Sequence, residues 1–108
     1  MADAFHDREQ AFEAKFKLDQ ELEFRARARR NKLLGLWAAE TMGVADADAY
    51  ARGVVAADLE EPGDDDVIRK VMKDLTDKGV EMTEGRLRIK LEKLMTIARE
   101  QVYGDAAR

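Results

Sequence analysis

Apolar residues recur every three or four positions in four stretches of this chain, and each stretch is closed by a glycine or proline signal. Residues 3–42 contain no proline, have no glycine before Gly35, and are dense in Ala, Glu, Arg, Lys and Leu, the strongest helix formers. One long helix is predicted there, ending at Gly43. Asp46 is placed to cap a second helix, in which Ala47, Tyr50, Ala51, Val54, Val55 and Leu59 follow the i, i+3, i+4, i+7 rhythm. Glu61, Pro62 and Gly63 break it. A third helix carries Val67, Ile68, Val71, Met72 and Leu75, and its opening Asp64, Asp65 and Asp66 set negative charge against the positive end of the helix dipole. Gly79 ends it, and Thr83 can cap a fourth helix with the stripe Leu87, Leu91, Leu94, Met95, Ala98 and Val102, closed by Gly104. No alternating strand pattern and no internal repeat occurs. The fold class expected is all-α, a four-helix bundle with a mobile or helical N-terminal segment, divided at residues 1–19 and 20–108.

Composition supports the helical reading and narrows the function. The chain has 108 residues, room for one small domain. Its net charge of −4 argues against general affinity for nucleic acid, which needs cations concentrated over phosphate. Cysteine and serine are absent and His6 is the one histidine, so the usual nucleophile and base arrangements cannot be assembled, and a thiolate zinc site is excluded. No phosphate-cradling glycine loop and no HExxH motif is present. The acidic run of Glu60, Glu61, Asp64, Asp65 and Asp66 lacks the spacing of a calcium loop, which favours helix-start chemistry over a metal site. No apolar run approaches the roughly 20 residues that a membrane-spanning helix requires. These features read as a soluble, cytoplasmic protein with no catalysis, no metal and no direct membrane insertion.

The stretch FRARARRNKLLGLWAAE (24–40) packs Arg25, Arg27, Arg29, Arg30 and Lys32 closely and then turns apolar. At about 100 degrees per residue these cations spread round the helix rather than forming one face. Glu21 and Glu23 stand four residues before Arg25 and Arg27, a spacing suited to intrahelical ion pairs. A solvated helix face is the plain reading; contact with an anionic ligand or partner through Arg29, Arg30 or Lys32 is the sharper one. Leu33, Leu34, Leu36 and Trp37 read as the helix reaching the core, with Gly35 allowing a close helix approach.

The N-terminal stretch FHDREQAFEAKFKLD is less easily absorbed into a core. Phe5, Phe12 and Phe16 fall within about 40 degrees of arc on a helix, with Asp7, Arg8, Glu9, Glu13, Lys15 and Lys17 round the rest. One reading extends the core helix. The other is a helix that docks its phenylalanines in a partner's groove. His6, among acidic neighbours, is a solvated side chain in the plain reading and a pH sensor in the sharper one.

The segments FHDREQAFEAKF (5–16) and FRARARRNKLLGLWAAE (24–40) closely resemble the zeta subunit of alphaproteobacterial F-type ATP synthases. The likeness covers nearly the whole chain, is strongest over residues 28–40 and thins in the last two helices. The resemblance implies a four-helix bundle whose N-terminal segment inserts between alpha and beta subunits of the catalytic head, near the gamma subunit, and inhibits ATP hydrolysis. It gives the partner-binding role to Phe5, Asp7, Arg8, Glu9, Phe12, Glu13, Lys15 and Phe16. His6 stands where the family pattern leads one to expect an acidic residue. The resemblance also implies a monomer when free, located in the cytoplasm and peripheral to the inner membrane through the synthase. It leaves open a weak ATP or ADP site on the bundle, for which Arg29, Arg30 and Lys32 are the candidates.

Overall fold

The computed structural model describes the backbone of residues 4–107 and the side chains of residues 7–107. These residues form α1 (Ala4–Met42), α2 (Ala47–Glu60), α3 (Asp64–Asp77) and α4 (Glu84–Ala106), with no strand among them. The predicted punctuation is observed. Asp46 accepts a hydrogen bond from the Ala49 N–H at 3.0 Å, and Thr83 accepts one from the Arg86 N–H at 3.2 Å, so each cap satisfies an orphan donor of a first turn. Gly43 and Gly79 take φ values of 72° and 76°, and beyond them Val44 and Val80 donate back to the carbonyls of Ala39 and Leu75 at 2.9 Å. This is the left-handed helix ending that only glycine adopts without strain. Gly63, rather than an Asp side chain, occupies the cap position of α3.

The four helices pack round one core. Leu34 and Ala38 of α1, Val54 of α2, Val67, Ile68, Val71 and Leu75 of α3, and Leu87, Leu91 and Leu94 of α4 form its buried centre, with Trp37 and Met72 at its edge. A smaller cluster of Leu22, Ala26 and Val102, with Met95 against it, joins the end of α4 to the middle of α1. The α2 stripe differs from the expected one. Leu59 is 59% exposed, and the inward arc is Ala51, Val54 and Asp58, because Asp58 continues that arc while Leu59 lies about 100 degrees further round.

At Gly35 the backbones of α1 and α2 come close together. A Cβ there would stand 2.5 Å from the Ala51 Cα and 3.0 Å from its Cβ, inside any normal contact. Gly35→Ala should force the helices apart at a cost of roughly 1–3 kcal/mol, offset in part by the better helix propensity of Ala, about 1 kcal/mol. Urea unfolding should show a lower midpoint; a higher one would mean that the crossing relaxes without strain.

The 39 residues of α1 span about 58 Å at 1.5 Å per residue, and the molecule measures 68 × 26 × 22 Å. The long dimension is therefore α1. Its burial begins only at Leu22, so the first half of the helix extends beyond the other three.

Candidate functional site

Every described side chain from Asp7 to Glu21 is exposed. Phe12 is 74% and Phe16 57% exposed, with Leu18 at 52% on the other side of the helix. The helix continues unbroken into the bundle, which supplies the nucleus that an isolated segment of this length lacks in water. Of the partner-binding residues expected from the sequence, Asp7, Arg8, Glu9, Phe12, Glu13, Lys15 and Phe16 all lie on this projecting arm. The side chains of Phe5 and His6 lie outside the described ones. Phe12 and Phe16 keep most of their rings in water and belong to neither core cluster.

The arm springs from a buried polar cluster that the sequence reading missed. Asp58 is 7%, Asn31 1% and Arg30 5% exposed. The Asp58 carboxylate accepts from Arg27 Nε at 2.7 Å and from a second Arg27 nitrogen at 2.9 Å. It also accepts from Asn31 Nδ2 at 2.8 Å and from the Gly63 N–H at 3.2 Å. Arg30 donates twice to Asn31 Oδ1, at 3.1 and 3.0 Å, and pairs with Asp64 at 3.0 Å. These bonds tie α1 to the end of α2, the loop after it and the start of α3, and no buried side-chain donor or acceptor among the described residues lacks a partner. The hydrogen bond from Arg27, helped by those from Gly63 and Asn31, outweighs the cost of burial and holds Asp58 down at about 2 against an ordinary 3.8. Arg27 is raised in turn, chiefly by the same hydrogen bond. One signal for this cluster was present in the sequence: a carboxylate standing seven residues after Ala51 and four after Val54, on an arc that otherwise faces the core.

The cluster corrects two expectations about the basic stretch. Arg27 and Arg30 are not free solvated cations: each is held across helices by a carboxylate of α2 or α3, Arg27 partly exposed and Arg30 nearly sealed. The pair expected between Glu23 and Arg27 does not form; Glu23 instead meets Arg99 of α4 at 3.0 Å. Glu21 and Arg25 do pair, at 2.6 Å and largely exposed. Arg25→Gln should therefore move stability by no more than about 0.5 kcal/mol, read as a small shift of the urea midpoint. Asp64, Asp65 and Asp66 do more than face a helix dipole, since they pair with Arg30, Arg88 and Arg69.

The nucleotide candidates do not converge. Arg29 donates to Gln101 at 2.9 Å and lines, with Lys32, Ala28 and Val55, a groove of about 480 Å³. Arg30 is engaged elsewhere, as above. No group of three or more His, Asp or Glu side chains among the described residues could hold a metal ion, and no described helix is long and apolar enough to cross a membrane.

The described residues thus form a tightly pinned helical bundle that holds out a largely charged helical arm bearing two exposed phenylalanines. A family model described as ATPase inhibitor subunit zeta matches residues 1–101, and the chain belongs to that family. Its class is that of a regulatory inhibitor of an ATPase. A search of curated proteins finds no match.

Proposed function

We propose that residues 1–19 are the inhibitory element and that residues 20–108 are the body that carries it. The arm enters the catalytic head of an F-type ATP synthase between an alpha and a beta subunit, near gamma, and arrests ATP hydrolysis. The observation that carries this reading is the exposure of Phe12 and Phe16 on one side of the half of α1 that precedes its first buried residue, Leu22. Phe5, Phe12 and Phe16 act as anchors, while Asp7, Arg8, Glu9, Glu13 and Lys15 form the polar rim. A helix wedged between subunits binds one conformation of the head better than the next. It stops rotary turnover in proportion to that difference, without chemistry of its own. The protein works as a monomer from the cytoplasmic side, held at the membrane through the synthase.

The test is the ATPase rate of the purified cognate head as the protein is added. A rate that falls to a low plateau near one inhibitor per head supports the proposal, and an unchanged rate at saturating inhibitor overturns it. A second reading, weak ATP or ADP binding on the bundle, draws support from Arg29 and Lys32 lining one groove. Equilibrium dialysis with labelled ATP, compared between the native chain and Lys32→Gln, tests it.

A further inference from the structure

The arm and one face of the bundle look the same way. At about 100 degrees per residue, Phe12, Phe16, Glu23, Arg27 and Arg30 fall within about 60 degrees of arc on α1. Glu23, Arg27 and Arg30 form one wall of a groove of about 1010 Å³ whose other wall is α4. A smaller cleft of about 270 Å³, between Trp37, Met82, Arg86, Ile89, Lys90 and Lys93, adjoins it and shares Ile89 and Lys93 with it. A surface that holds Phe12 and Phe16 therefore lies on the side of the molecule where this groove opens, and Glu23 is only about 10 Å along the helix from Phe16.

Where the groove runs into the smaller cleft, its charge is opposite to that of the protein, because Arg86, Lys90 and Lys93 all line that cleft. The chain carries −4 overall, yet residues 86–93 hold Arg86, Arg88, Lys90 and Lys93 against Glu92 alone. Arg88 is neutralised by Asp65 and Glu84, at 2.7 and 2.8 Å, and Arg99 by Glu23. Arg86, Lys90 and Lys93 take part in none of the ion pairs among the described residues. Lys90 instead lies over the Trp37 ring, 5.3 Å from its centroid, a contact that keeps its charge. In their midst Ile89 is 54% exposed. Uncompensated cations round an exposed isoleucine repel a basic surface and favour a carboxylate-bearing one with an apolar residue to seat.

We infer that this face of α4 is a second docking surface, and that it takes an acidic segment with an apolar anchor on the same ATPase head that receives the arm. The inference rests on the arm reading for the identity of the partner. The two contacts divide the work: the arm blocks, and the groove steers the inhibitor to the head and retains it there. Steering by exposed charge acts over about a Debye length and weakens with salt.

Binding of the full-length chain to the isolated cognate head, measured at about 50 mM and about 500 mM salt, tests this. Arg86→Glu with Lys93→Glu should weaken binding about tenfold or more at low salt, and the loss should shrink at high salt. Both side chains lie outside the core, so helical content should be native by circular dichroism. Arg52→Glu, at an exposed cation of α2 that lines neither the groove nor the smaller cleft, should change binding less than about twofold. A chain with Phe12→Ala and Phe16→Ala should bind weakly but keep a salt-dependent component that Arg86→Glu with Lys93→Glu removes. A native affinity and salt dependence in the Arg86→Glu, Lys93→Glu chain would sink the groove alone. An equal loss from Arg52→Glu would do so too, because net charge would then be the cause. Full inhibition by the Phe12→Ala, Phe16→Ala chain would instead sink the arm reading, and with it the argument from the shared arc.

Discussion

Replacing Phe12 and Phe16 together with alanine should raise the half-inhibitory concentration against the cognate ATPase by about a thousandfold. A docked helix takes most of its affinity from a few large apolar anchors, and truncating one that is fully buried in the partner costs more than about 2 kcal/mol, or about thirtyfold. Two such anchors give the product if they act independently, and less if the arm fits as a unit. In the free protein the same substitutions should be nearly silent. Phe12 and Phe16 are 74% and 57% exposed and contribute to neither core cluster, so the urea midpoint should stay within experimental scatter while alanine slightly favours the helix. That separation is what makes the measurement decisive. A double variant that inhibits as well as the native chain would place the inhibitory surface on the bundle, whereas one that also unfolds more easily would show that the phenylalanines pack against it.

The arm was legible in the sequence because its signal is local. Spacings of seven and four among Phe5, Phe12 and Phe16 fix a common face once a helix is assumed, and no tertiary partner alters that geometry. The helix boundaries were legible for the same reason: Asp46, Thr83, Gly43 and Gly79 act on backbone groups within a few residues of themselves. Gly35 belongs with them, since a glycine amid strong helix formers has few reasons other than a close approach. The buried cluster at the root of the arm was not legible. Asp58 lies 31 residues from Arg27 and 27 from Asn31, and their meeting depends on the register of α1 against α2, which local periodicity does not set. Glu23 shows the same limit from the other side. Its spacing suits Arg27, but Asp58 offers that guanidinium a less exposed carboxylate and a two-pronged bond, and the stronger, less hydrated partner wins. The basic stretch misled as a group because its members are sorted by the neighbours of each position, from the largely exposed Arg25 to the nearly sealed Arg30.

Asp58→Ala should be the most destabilising single change of a polar residue in the bundle, at about 3–5 kcal/mol, the usual cost of removing one partner from a buried charged network. The loss is large because of what remains. Asn31, 1% exposed, loses the acceptor of its amide, the Gly63 N–H loses its own, and Arg27 keeps only its longer contact to Asp64, at 3.5 Å. Against a total of about 5–15 kcal/mol for a domain of this kind, that shift should be plain in urea unfolding at neutral pH. The pH dependence identifies the charge as the cause. The folded-state value of Asp58 is lowered to about 2 from 3.8, so its contribution is fully present above about pH 4 and is lost as pH falls towards 2. The amount is about 2 kcal/mol at 1.36 kcal/mol per unit. Asp58→Asn keeps the shape and cannot titrate. The stability gap between the native chain and Asp58→Asn should therefore be constant from pH 7 to about 4 and should narrow by about 2 kcal/mol between pH 4 and 2. A gap that stays the same across that range would mean that Asp58 holds Arg27 and Asn31 no better as a carboxylate than as an amide. Inhibition assayed at neutral pH supplies the final discrimination. If the cluster serves the arm only by keeping the bundle folded, Asp58→Ala should lower potency in proportion to the fraction unfolded, and mild stabilising osmolytes, which favour burial, should restore it.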